Sequence, residues 1–390
     1  MTTTVKNFNS TMTGAPVLTG QAGAMKTLLK TCLVDGFASA SVQALNVASN
    51  VATATFAAPH AYTVGSIVLI AGATPAALNG EKLVTATTAT TISYAATGVP
   101  DGAATGTITA KLAPAGWQEL YTGTNLSAFK PTVPEATGCI LRVDDTGTKN
   151  GRVRLYETMS DINTGTGPTP TDTQVSGGLY WPKSATTDAT ARSWYFVGDT
   201  RGFYLAVAPN GSSRFTILYA GDIASLKSGD AYACVITGNE ADQTALASGA
   251  PNGCVGYSGR SARGGCYMVR DYLGVGQSVS AQRLGAHQNG STADAYAGTA
   301  GYSLGTYPNG ANNGLLTGAL ELFAASIRGS FTGLLHPVQD MTSANLAAGQ
   351  TVLGTDDYAG RTLMALRVRA PGDSTSAGTA FLDLTGPWSR

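Results

Sequence analysis

The sequence predicts a mainly β chain built from several antiparallel sandwich or barrel modules, with one short helix near its N-terminus. Three observations carry that expectation. Short apolar runs of four to eight residues recur along most of the chain, and many of them alternate with period two. Turn formers punctuate them, with 49 glycines and 16 prolines in 390 residues. Only one stretch carries helical spacing over more than two turns.

That stretch is residues 22–34. Met25, Leu28, Leu29, Cys32 and Leu33 fall on one face, Lys26 and Lys30 lie on the other, and Gly36 is placed to stop the helix. From about residue 46 to 112 the texture changes. "VATATFA" alternates, and "SIVLIAG" is a compact buried run. "EKLVTATTATTISYAA" reads as two strands broken near Thr88–Thr90, and "GTITAKL" closes the set. The segment "AGATPAALNG" is a long connection expected to end in an Asn79-Gly80 turn. Such a set suggests a small antiparallel barrel or sandwich. Residues 113–390 then form a larger β body with a sub-boundary near 240, and residues 1–45 form an N-terminal docking segment.

In the larger body, "CILRVDD", "GRVRLYETM", "SWYFVGD", "GFYLAVAP", "RFTILYAGDI" and "AYACVITG" read as strands. Asn210-Gly211 joins two of them as a hairpin, and "VDDTGTKNGRVRLYE" reads as another. The polar loop 163–178 between strands is long enough to suggest a functional or interfacial role. Beyond 239 the chain is the most glycine-rich. "EADQTALASGA" suggests a helical turn, "GALELFAASIRGSFTGLLHP" one or two strands, and "RTLMALRVRAP" and "TAFLDLTGPW" the last strands.

Composition narrows the function. Charged residues make up 12% of the chain, about half the usual share, and 24 basic residues balance 24 acidic ones. No net field favours nucleic acid or an anionic membrane, and an uncharged surface is poorly protected against association. No apolar run reaches the length of a membrane-spanning helix. The start "MTTTVKNFNSTMTG" lacks the pattern of a secretory leader. The five cysteines (32, 139, 234, 254 and 266) are odd in number and show no zinc-site spacing, so they are expected to be reduced, buried thiols.

Candidate chemistry is sparse. His60, His287 and His336 sit in turn-like or edge settings. No HExxH, GxSxG or phosphate-binding loop appears. The adjacent pairs Asp144-Asp145 and Asp356-Asp357 suit Asx turns and lack EF-hand spacing. No catalytic residue, metal or cofactor is therefore expected. The aromatics around 180–204 have two readings, sugar-stacking faces or core packing, with packing favoured. Tyr180, Trp181 and Trp194 are the glycan or interface candidates there. Arg260, Arg263 and Arg270, in a glycine-rich stretch, are expected to pair with carboxylates of a neighbouring subunit.

The block "VATATFAAPHAYTVGSIVLIAGATPAALNGEKLVTATTATTISYAATGVPDGAATGTITA" resembles a small β module of tailed-bacteriophage structural proteins. "LRVDDTGTKNGRVRLYETMSDINTGTGPTP", "SGGLYWPKS" and the ending "DLTGPW" resemble an uncharacterised family of phage and prophage virion proteins. The resemblance implies a virion component, of the tail or baseplate, assembled in the bacterial host cytoplasm. Its partners would be copies of itself and other virion proteins. Alternatives are a capsid decoration protein and a receptor-binding tail protein that holds a host-surface glycan. The resemblance supplies no catalytic residues.

Overall fold

A computed structural model describes residues 5–211, 213–242, 255, 257–259, 265–285, 294–296, 305–341, 344, 346–368 and 378–390. The described residues are 46% strand and 5% helix, in several antiparallel sheets that include a half-barrel. The mainly β expectation holds.

A seven-stranded sheet forms the middle layer. In spatial order its strands are Lys6–Asn9, Trp194–Gly198, Gly202–Val207, Thr216–Asp222, Cys234–Thr237, Cys266–Met268 and Val279–Ser280. Both of its faces are covered. Phe203, Leu205 and Val207 enter one core, while Tyr204, Ala206 and Ala208, next to them in sequence, enter another. A strand buried on both sides has no need of polar residues at alternate positions. This is why "GFYLAV" and the centre of "TILYAGD" read as continuous apolar runs, with every residue of both strands buried. The two strands pair from Gly202↔Gly221 to Val207↔Thr216, so the hairpin at Asn210-Gly211 is present.

The first core lies between the middle sheet and a five-stranded sheet ordered Trp117–Gly123, Leu126–Pro131, Ile140–Asp144, Asn150–Tyr156 and Leu179–Pro182. The hairpin expected in "VDDTGTKNGRVRLYE" is the pairing of Ile140–Asp144 with Asn150–Tyr156. The second core lies against a distal sheet that contains Thr317–Ala324, Ser326–Pro337, Thr362–Val368 and Gly378–Asp383. "GALELFAASIRGSFTGLLHP" is therefore two strands. They are joined tightly at Ala325, whose φ is 63°. The loop 163–178 is not structureless. Gly165–Thr166 pairs with Thr158–Met159, and Thr169 bridges Leu155. The helical turn expected in 240–250 lies, from 243 onward, outside the described residues.

The small module begins earlier than its texture suggests. Its sheet includes a twelve-residue strand, Phe37–Ala48, which pairs with Val51–Phe56 through the two-residue turn Ser49-Asn50. Both turn residues have positive φ (50° and 64°), the geometry a tight hairpin requires. Ile67–Ala71 and Thr109–Leu112 lie on the other side of the long strand. The Asn79-Gly80 turn is not formed as expected, because Asn79 is extended (φ −79°, ψ 169°). Its side chain instead fastens the loop: Oδ1 accepts from the Ala73 N–H at 2.8 Å and Nδ2 donates to the Ala73 carbonyl at 2.7 Å.

The helix runs Ala24–Lys30 and continues as a π-helical turn, Thr31–Asp35. Met25, Leu28, Leu29, Cys32 and Leu33 are buried, as their spacing predicts. Gly36 ends it at φ 70°, and a Cβ there would lie 2.2 Å from the Leu112 carbonyl oxygen. The N-terminal segment is part of the chain's own fold. Lys6–Asn9 is an edge strand of the middle sheet, and Phe8 and Leu18 are in the first core.

Candidate functional site

Of the aromatics between 180 and 204, Trp181, Trp194, Phe196 and Phe203 meet in the first core, while Tyr204 lies in the second with Tyr195 packed against it. Phe203 stacks on Phe196 at a centroid separation of 5.3 Å, and Trp117 and Trp181 meet it edge-on at 5.6 and 6.0 Å. Trp181 and Trp194 have no exposed surface. Their indole N–H groups donate to the Thr237 and Pro16 carbonyls at 2.5 and 3.1 Å. The sugar-stacking candidacy of these two tryptophans is corrected by that burial, since both faces of each ring are covered by the chain itself. Tyr180 is half-buried, and the Arg152 guanidinium lies 3.6 Å from its ring centroid. Arg260 and Arg263 lie outside the described residues, and Arg270 departs from the expected pairing with a neighbouring subunit: its guanidinium donates to both oxygens of Glu157 of the same chain, at 2.7 Å each.

His60 is held in the module, between the Thr91 carbonyl at 3.0 Å and the Phe56 and Tyr62 rings. His336 is buried on a distal-sheet strand, and His287 is outside the described residues. The four described cysteines, at 32, 139, 234 and 266, are free and buried. Burial pushes the thiols of Cys32 and Cys266 up, that of Cys266 to about 12.

The carboxylate pairs divide. Asp144 forms the expected turn, accepting from the Thr146 N–H and hydroxyl at 3.2 and 2.7 Å. Asp145 does not. It is fully buried in an ion pair with the equally buried Lys183, and its other oxygen accepts the N–H groups of Met25 and Lys26 at 2.7 and 3.1 Å. Asp356 and Asp357 sit in a 3₁₀ turn. Asp357 lines a cavity of about 260 Å³ with Arg361, Asp383 and Trp388, in which Arg361 and Asp383 are paired. A larger recess of about 470 Å³ is lined by Arg201, Lys227, Asp230 and Arg390, among others. Each of those charges has a partner: Arg201 bonds Asp222, Arg390 bonds Asp199, Asp230 bonds Arg328, and Lys227 donates to the Tyr272 carbonyl. Among the described residues no group of three or more His, Cys, Asp and Glu side chains gathers as a metal site.

One surface stands apart. Leu226, Ile327, Tyr272 and Leu273 are 68%, 43%, 40% and 74% exposed. They share one neighbourhood. The Leu226 N–H donates to the Arg328 carbonyl, next to Ile327, and the Arg328 guanidinium lies 5.6 Å from the Tyr272 ring centroid. Lys227 caps the same ring. An exposed apolar cluster with Lys227 beside it is a surface suited to contact. Sequence reasoning missed it because its members come from three separate segments.

A scan against protein-family models and a search of curated proteins both return no match.

Proposed function

We propose that this chain is a structural, non-enzymatic component of a tailed-bacteriophage virion, in the tail or baseplate, working through contacts with copies of itself and with other virion proteins. The observation that carries the reading is the set of sequence blocks at 51–110, 141–170, 176–184 and 383–388 that resemble phage virion proteins. The physical character of the chain supports it. Covered sheets make stiff layers, and a surface poor in charge loses little hydration when buried against a neighbour. The exposed cluster at Leu226, Tyr272, Leu273 and Ile327 gives such a contact a place.

The test is mass analysis of purified particles separated into heads and tails. Recovery with tails supports the reading, and recovery with heads moves the chain to capsid decoration. Absence from both, in a lysate that contains the soluble chain, overturns it. The glycan-binding alternative loses Trp181 and Trp194 as stacking platforms and would have to rest on Tyr180 or on other surfaces.

A further inference from the structure

We propose that Lys183 and Asp145 form an intramolecular isopeptide bond, Nζ to Cγ, that staples together the ends of two strands of the five-stranded sheet. The two side chains touch and have no exposed surface. Asp145 follows the strand Ile140–Asp144 and Lys183 follows Leu179–Pro182, with Asn150–Tyr156 running between and pairing with both. Gly151 of that middle strand leaves the room. A Cβ there would lie 2.9 Å from the Met25 sulfur and 3.7 Å from Asp145 Oδ1.

The surroundings suit condensation. Burial, the largest influence on each group, raises the Asp145 carboxyl and lowers the Lys183 amine, so the uncharged, reactive forms gain ground. Asp145 Oδ2 receives two main-chain N–H groups, from Met25 and Lys26, placed to hold the charge that develops on that oxygen during attack. The ammonium first passes one proton to Oδ1; the neutral Lys183 nitrogen, its lone pair freed, adds to Cγ, the Cγ–Oδ1 bond breaks, and Oδ1 leaves as water with a second proton from that nitrogen. The third proton stays on the amide nitrogen. No oxidant, reductant or activated donor is required.

The product has a partner at hand for each of its polar atoms. An amide has one N–H and one carbonyl. Lys183 already donates to the Gln21 carbonyl at 2.7 Å, and Oδ2 already accepts its two N–H groups. Two buried charges would be replaced by one satisfied neutral group, which removes the desolvation cost of the ion pair.

The experiment is intact-mass measurement of the full chain under denaturing conditions, followed by peptide mapping. The expected result is a mass one water below that of the sequence, with a branched peptide joining the segments that hold Asp145 and Lys183. Lys183→Arg should restore the sequence mass. A wild-type chain at full sequence mass overturns the proposal whether or not the variant folds. So does a water loss that maps elsewhere, for example to Asp101-Gly102.

Discussion

Replacing Phe203 with alanine probes the first core where four aromatic rings meet. The ring has no exposed surface and touches three other aromatics, Phe196 in a stack and Trp117 and Trp181 edge-on. Truncating a buried phenylalanine costs about 3–5 kcal/mol, the lost transfer energy plus the cavity left behind. Each aromatic pair lost adds to the upper end of that range. We take about 4 kcal/mol. For a cooperative unit of about 150–250 residues each kcal/mol lowers Tm by about 2–4 °C, so the expected drop is about 8–16 °C. The assay is thermal unfolding followed by circular dichroism, with Leu353→Ala as the control. Leu353 is 74% exposed, and its truncation should stay within about 0.5 kcal/mol. If Phe203→Ala shifts Tm no more than the control does, the middle sheet is not covered as described and the layer argument fails.

Three further outcomes follow from particular contacts. Asn79→Ala removes both hydrogen bonds to Ala73 and should cost about 1–2 kcal/mol, with faster hydrogen exchange at the Ala73 amide; an unchanged exchange rate would contradict the fastening role. Gly333→Ala places a Cβ at 2.2 Å from Trp388 Cε2 at a φ of 69°, so the indole should move and its fluorescence should shift to the red. Unaltered emission and Tm would show that the site has slack. Glu119 supplies a pH dependence. Burial alone would raise its carboxyl, but hydrogen bonds from Lys30 at 2.8 Å and Ser127 at 2.6 Å outweigh burial and hold it below 4.5. Because the folded-state value is depressed, its stabilisation is present at neutral pH and is lost as pH falls below 4.5 through that value. Glu119→Gln should therefore flatten the acid limb of a stability–pH curve by about 0.5 kcal/mol, a small amount because Lys30 is exposed and screened. An identical acid limb in the variant would refute the assignment.

Local patterns were legible in the sequence where one residue's neighbours decide its conformation. The apolar spacing of Met25, Leu28, Leu29, Cys32 and Leu33 located the helix, and Asn210-Gly211 located a hairpin. The strand Phe37–Ala48 escaped notice because much of its apolar content is alanine and a bulge between Val42 and Ala44 breaks its alternation. The aromatics at 180–204 were ambiguous for a different reason. A strand covered on both sides and a strand with an exposed aromatic face share the same residues, and only the sheets above and below tell them apart. Asp145 and Lys183 were invisible as a pair, since their contact spans 38 positions and the N–H groups that Asp145 accepts lie about 120 positions away. The exposed cluster was missed likewise, because Leu226, Tyr272 and Ile327 meet only in the folded chain.

The measurement that tests assembly most directly is an electron-microscopy map of the intact particle at a resolution that separates strands. The account predicts density for this three-layered chain in repeated copies on the tail or baseplate, with Leu226, Tyr272, Leu273 and Ile327 covered by a neighbour. A complete map whose every density is filled by other proteins, with this chain left free in the lysate, would contradict it.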